Sequence, residues 1–156
     1  MPAQPSTIHR RMLVLLVLHL LGGAIALACA GGGTNPNLID ISGRWRYTER
    51  YTDLAHQASC FDSGAYDIMQ SQNGFVGVYG QRGYCTTPQG TADNTDSGAV
   101  TEGHVVGRTI RFKAPNCQYD GHTPVETTDR LDGNVVCSVG DQTITYTFTG
   151  TWSAAR

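Results

Sequence analysis

The sequence lacks the short motifs by which many enzymes and metal sites are identified. It contains no G-x-S-x-G, H-E-x-x-H, P-loop or C-x-x-C pattern. Each of these patterns places a nucleophile, a metal ion or a phosphate in a defined local structure. We therefore predict no enzymatic activity, no catalytic residue, no cofactor and no metal site.

Positive charge is also scarce. Lys113 is the only lysine, and after residue 28 the chain carries nine basic and thirteen acidic side chains, a net charge of −4 with histidine neutral. Proteins that bind nucleic acids need a basic surface. A nucleic-acid partner is therefore not expected.

A long apolar run is present at the N-terminus, over residues 12–28, directly after Arg10 and Arg11. A basic segment followed by an apolar one that ends in Ala-Leu-Ala is typical of a secretory signal peptide, and this run is short for a membrane span. The sequence predicts a signal peptide over 1–28, a flexible glycine-rich tether over 29–37 and one domain over 38–156.

The five cysteines fit this interpretation. An odd number leaves one unpaired thiol in an oxidising compartment, and the pentapeptide IALAC at residues 25–29 resembles the lipobox of bacterial lipoproteins. Lipidation of Cys29 would remove the odd thiol and anchor an exported protein to the membrane of the bacterial cell envelope. Ordinary signal cleavage nearby, with Cys29 lost or free, is the alternative. The cysteines left for two disulfides are Cys60, Cys85, Cys117 and Cys137.

The stretch 64–85 reads as a β-hairpin with alternating strands around Asn73-Gly74, the residue pair that suits a type I′ turn. Folding about this turn brings Cys60 close to Cys85, which predicts a disulfide across the foot of the hairpin. A Cys117–Cys137 bridge then follows by elimination, although four cysteines allow three pairings.

Strand patterns recur along the domain, and no stretch shows a sustained helical period. We predict an all-β fold, an up-and-down antiparallel barrel of about eight strands, because closure removes exposed sheet edges; a β-sandwich is the alternative. Long polar connections at 52–63, 82–98 and 114–124 are predicted at the cysteine-bearing end. The strands are predicted at 41–51, in the hairpin 64–85, and at 99–106, 109–113, 125–131, 134–139 and 143–152.

Two short motifs resemble known families. Gly43-Arg44-Trp45 resembles the G-x-W start of lipocalins and avidins, the calycin group, and the segment 74–79 resembles the third strand of avidins. The resemblance implies a barrel in which Trp45 closes one end and a late arginine, here Arg156, packs over it. Such barrels either fill with side chains or hold one small ligand, and the aromatic content favours filling. A lipid-anchored barrel that opens with G-x-W also resembles bacterial proteinase-inhibitor lipoproteins.

The predicted working surface is the cysteine-bearing end. Loops on a rigid scaffold often carry binding residues, and Tyr and Arg are common at interface hot spots. We predict a lipid-anchored extracytoplasmic binding module whose protein or small-molecule partner meets this end; a barrel that carries a small apolar ligand and an envelope proteinase inhibitor are the alternatives. The candidate partner-binding residues are His56, Arg82, Tyr84, Tyr119, Asp120 and His122.

Overall fold

The structure, a computed structural model, describes residues 38–140 and 144–156. The predicted signal peptide, lipidation site and tether lie outside these residues. No helix found within the described ranges could cross a membrane. The strands are β1 (Gly43–Asp53), β2 (Ala58–Ser71), β3 (Gly74–Thr87), β4 (Gly90–Asp93), β5 (Asp96–Val106), β6 (Thr109–Ala114), β7 (Cys117–His122), β8 (Arg130–Gly140) and β9 (Thr145–Ala155).

Eight of these strands close into an antiparallel barrel. Their order around the barrel follows the chain, from β1 through β2, β3, β5, β6, β7 and β8 to β9, which pairs again with β1. The short β4 is an addition that pairs with the end of β3. The predicted all-β, up-and-down barrel is therefore confirmed, and the sandwich alternative is wrong.

Side-chain alternation explains which residues face inwards. In β1 every second residue from Trp45 to Asp53 is buried while its neighbours are exposed. In β9 Phe148 and Trp152 are buried and the threonines between 145 and 151 are exposed, as the sequence predicted. A period of two puts alternate residues on opposite faces of a strand, so one face of each strand supplies the core.

One end of the barrel, which we call the closed end, is sealed by residues 38–42 and by the last residue of the chain. Ile41 is 1% exposed, its carbonyl oxygen accepts a hydrogen bond of 2.7 Å from the indole Nε1 of Trp45, and its backbone N donates to Gln70 over 2.8 Å. The guanidinium of Arg156 lies 4.4 Å from the centre of the Trp45 ring. This is the contact that the calycin resemblance implied.

The opposite end, which we call the disulfide end, carries the β1–β2 turn, the β6–β7 turn and the short strand β4. Both predicted disulfides form here, Cys60–Cys85 between β2 and β3 and Cys117–Cys137 between β7 and β8. Each joins residues that lie directly opposite one another in the strand register. Since these two strand pairs are half a turn apart in the barrel order, the disulfides brace opposite walls.

The hairpin turn falls one residue earlier than predicted. Ser71 lies opposite Gly74, so Gln72 and Asn73 form the turn, and Gln72 has a φ of 55°. A disulfide requires short Cα separations, and the Cα atoms of Cys60 and Cys85 lie 4.1 Å apart in this register. The observed register brings Cys60 directly opposite Cys85, whereas a turn at Asn73-Gly74 would shift the two cysteines past each other.

The prediction for residues 114–133 was wrong. The stretch 114–124 was expected to be a loop, but β7 occupies 117–122 within it, and the predicted strand 125–131 falls mainly in the irregular connection 123–129. That connection lies at the closed end. Asp132 and Gly133, which separate the predicted strands 125–131 and 134–139, are instead part of β8.

Two glycines explain why the prediction for residues 114–133 was wrong. Gly121 and Gly133 lie opposite one another in the β7–β8 pair. A Cβ atom would lie 2.6 Å from a Trp152 ring carbon at the first position and 2.7 Å from the Trp152 Nε1 at the second. These glycines therefore make room for an indole inside the barrel and do not mark a turn.

Candidate functional site

The half of the interior nearest the closed end is filled by aromatic rings. Phe112 lies at its centre, with ring centroids 4.3 to 5.9 Å from those of its four neighbours. We call this cluster the aromatic plug. It consists of Phe112, Tyr66, Phe75, Tyr119 and Trp152, all of them buried.

The other half of the interior is a cavity of about 460 Å³ that opens at the disulfide end. All eight barrel strands contribute to its lining, and so do the four disulfide cysteines. The expectation of a filled barrel therefore holds only for the aromatic plug. The aromatic residues that line the cavity are Tyr51, Tyr79, Tyr119, Tyr146 and Phe148.

Glu49 lies on the wall of this cavity, above the aromatic plug. It is 2% exposed, since it belongs to the inward-facing series of β1. One carboxylate oxygen accepts a hydrogen bond of 2.7 Å from the hydroxyl of Tyr66, and the other accepts one of 3.2 Å from Tyr119. Burial raises the pKa of Glu49 from 4.5 to about 7, although the two phenol hydrogen bonds act in the opposite direction.

A second acidic side chain, Asp62, is also buried in the barrel wall near the cavity. Its Oδ2 atom accepts hydrogen bonds from the hydroxyl of Tyr51, from Asn94 over 2.8 Å and from Gln81 over 3.4 Å. Burial raises the pKa of Asp62. These three partners line the cavity as well, so a polar network joins Asp62 to its wall.

No basic side chain offsets these two acids within residues 38–140 and 144–156. None of the ion pairs there involves Glu49 or Asp62, and the described lining of the cavity includes no Lys, Arg or His. The arginines of β1 occupy the alternate, exposed positions of the strand. The cavity is therefore acidic, phenolic and aromatic in character.

Three of the predicted binding residues lie towards the disulfide end, in two different elements. His56 is in the β1–β2 turn, where its ring lies 2.8 Å from a carboxylate oxygen of Asp53. This hydrogen bond is the main cause that lowers the pKa of Asp53. Arg82 and Tyr84 are exposed residues of β3, and the ring of Tyr84 lies 6.0 Å from that of Phe61.

The other three predicted residues occupy three different environments. Tyr119 is 3% exposed and belongs to the interior. Asp120 forms an ion pair of 2.5 Å with the exposed Arg111 on the outer surface, and His122 ends β7 towards the closed end. The expectation that the six residues share one loop surface is therefore wrong, because β7 is a strand whose successive residues face opposite sides.

Neither Glu49 nor Asp62 was among the predicted site residues. One signal for Glu49 was present: it stands two residues from Tyr47 and from Tyr51, and four from Trp45. Strand alternation alone would have placed this carboxyl on the inward face of β1.

The described residues form a closed eight-stranded antiparallel barrel with an internal cavity at its disulfide end. No protein-family model matches the sequence, and no curated protein matches it. Among solved structures, the chain is similar to the S-type phycobiliprotein lyase from Guillardia theta, with 9% identity and a TM-score of 0.44 over 74% of this chain and 88% of that one. At this level of similarity neither family nor activity is transferred to this chain.

Proposed function

We propose that this protein binds a small ligand inside the barrel, through the cavity at the disulfide end. One observation carries the proposal: a cavity of about 460 Å³ that opens to solvent and is lined by all eight strands. Ligand pockets in proteins typically measure about 300 to 1,000 Å³ and combine apolar walls with a few polar groups. This cavity has both features.

The frame around the cavity supports the same function. The Cys60–Cys85 and Cys117–Cys137 disulfides line the cavity on opposite walls, and Tyr119 of the aromatic plug also contributes to its lining. A site that is held in shape before the ligand arrives loses less conformational entropy on binding. The barrel therefore suits a carrier or sensor of small molecules better than a protein-binding loop surface.

A fluorescence titration tests this function. N-phenyl-1-naphthylamine, which is uncharged at neutral pH, is expected to bind at a single saturable site with an increase in emission. Ala114→Phe, which fills the cavity at a buried lining residue, should weaken binding at least tenfold. The matched control Ala99→Phe, at an exposed position of β5, should leave binding unchanged.

Two outcomes would contradict the proposal. The first is the absence of saturable binding to the wild-type protein; the second is equal binding by the filled variant and its control. Because overpacking can destabilise a core by about 1–3 kcal/mol, Ala58→Phe serves as a second filling variant, and far-UV circular dichroism confirms that each variant is folded. Ala58 is also a buried lining residue.

We also propose that the protein is exported and anchored by a lipid on Cys29. The two disulfides support export, since disulfides persist mainly in oxidising compartments. Expression in a bacterium with a lipoprotein pathway, followed by mass spectrometry of the mature N-terminus, tests the anchor. A diacylated Cys29 is expected, and Cys29→Ser should release the protein from the membrane fraction. A mature N-terminus with an unmodified Cys29 would show that the lipid anchor is absent.

A further inference from the structure

We propose that the ligand is an organic cation, an amine with an apolar body, whose ammonium group pairs with Glu49 at the inner end of the cavity. This inference rests on the proposed ligand-binding function and specifies the chemistry of that site. Glu49 lies in the cavity lining with 2% exposure, and no described basic residue forms an ion pair with it. A buried carboxylate without a cation is costly, and a bound ammonium group would supply the missing charge.

The hydrogen bonds of Glu49 leave room for such a ligand. An ionised carboxylate can accept about four hydrogen bonds, and here Tyr66 and Tyr119 donate one each. These two phenols hold the carboxylate in place without neutralising it. The remaining lone pairs are available to an ammonium group that enters from the cavity.

The walls above Glu49 suit a cation as well. Aromatic faces attract ammonium groups, by about 0.5–1 kcal/mol at exposed sites and more where water is excluded, and Tyr51, Tyr79 and Phe148 line the cavity. At its mouth, Asp96 accepts a hydrogen bond of 2.6 Å from the hydroxyl of Tyr79, which adds a negative charge to the entrance. With no described basic residue in the lining, an anionic ligand would find no partner.

A series of three probes of similar shape tests the charge preference. Isothermal titration calorimetry at pH 8 should show that 2-phenylethylamine binds at least tenfold more tightly than 2-phenylethanol, and that phenylacetate binds least. Glu49→Gln should reduce amine binding to the level of the alcohol and leave alcohol binding unchanged. Glu102→Gln, which removes a charge from an exposed side chain of the outer surface, should change none of the three affinities.

The pH dependence of the wild-type protein gives a second test that needs no variant. Amine binding should weaken as the pH falls from 8 to 5, because Glu49 becomes protonated, while binding of the alcohol stays constant. Asp62 also raises the pKa of Glu49 through its charge. The phenols around Glu49, whose own pKa values are raised, stay neutral over this range; they are Tyr47, Tyr51, Tyr66, Tyr79 and Tyr119.

The outcomes separate this inference from the proposed function. If N-phenyl-1-naphthylamine binds but the alcohol binds as tightly as the amine, the inference is wrong and the ligand-binding function stands. The inference is also wrong if Glu49→Gln, shown to be folded, keeps the amine preference. If neither the fluorophore nor any of the three probes binds, the ligand-binding function itself is refuted.

Discussion

Replacing Glu49 with glutamine should remove a pH dependence of stability that burial of this carboxyl creates. The pKa of Glu49 is raised from its ordinary 4.5 to about 7 in the folded protein. Between these two values the folded state binds more protons than the unfolded state, so the free energy of unfolding falls as the pH rises. The contribution of Glu49 to the free energy of unfolding is therefore largest below about pH 4.5 and is lost as the pH rises through about 7.

The size of the effect follows from the separation of the two pKa values. At about 1.36 kcal/mol per pH unit, the interval from 4.5 to about 7 corresponds to about 3 kcal/mol in total. Part of this is already lost at pH 5, so about 2–3 kcal/mol should be lost between pH 5 and pH 8. Glutamine does not titrate, and Glu49→Gln should therefore gain this amount relative to the wild-type protein over the same interval.

Urea denaturation of both proteins, with disulfides intact and at several pH values, measures the difference. Apart from Glu49 the two proteins have the same titratable groups, so every contribution that is independent of Glu49 cancels in the difference. The glutamine amide brings an extra donor, and a buried donor without a partner costs about 1–3 kcal/mol. That cost shifts the two stability curves apart by a constant and leaves their relative slope unchanged.

Parallel stability curves would refute this reasoning. A difference between variant and wild type that is constant to about 0.5 kcal/mol from pH 5 to pH 8 would mean that Glu49 does not titrate in this range. Glu102→Gln is the control, since the side chain of Glu102 is 64% exposed. Its curve should run parallel to that of the wild-type protein.

Three further perturbations test the frame of the barrel. Removing the 117–137 disulfide with Cys117→Ser and Cys137→Ser should lower the free energy of unfolding by about 2–4 kcal/mol, and an unchanged denaturation midpoint would contradict this. Gly133→Ala should destabilise the barrel by more than 1 kcal/mol, as a Cβ there would lie 2.1 Å from a backbone oxygen; Gly80→Ala, where no atom lies within 4 Å of a Cβ, should be near neutral in the same denaturation assay. Arg156→Ala should cost about 0.5–1 kcal/mol by losing its cation–π contact and should alter tryptophan emission, whereas unchanged emission and stability would mean that the contact does not form in solution.

Much of the fold could be predicted because local pattern and global fold agree. The alternation in β1 and β9 is regular, so the inward positions of Trp45, Phe148 and Trp152 could be read directly. The disulfides could be paired because one hairpin brings Cys60 and Cys85 together. A turn predicted one residue too late was sufficient for this pairing, although it would place residue 87 opposite Cys60, two positions beyond Cys85.

The strand β7 could not be predicted because its neighbours impose it. The segment Cys117–His122 includes Asp120 and Gly121 and contains no β-branched residue, so its local preference for a strand is weak. It is extended because it pairs with β6 on one side and β8 on the other. Tertiary pairing thus overrides a loop-like composition.

The division of the interior into an aromatic plug and a cavity also depends on the three-dimensional structure. The aromatic residues counted in the sequence were enough to suggest a filled barrel, but they concentrate around Phe112 towards the closed end. Alternation places Glu49 inside. The same alternation turns the arginines of β1 outwards, but only the closed barrel shows that Glu49 lines a cavity.

The position of the chain ends has a practical consequence. Leu38 packs against the core, and Arg156 donates a hydrogen bond of 2.5 Å to the carbonyl oxygen of Asp40, so both ends of the described domain lie at the closed end. An affinity tag or a fluorescent protein fused after Arg156 would thus leave the entrance unobstructed. A sensor chip that captures the molecule through such a tag would present the entrance to the flowing analyte.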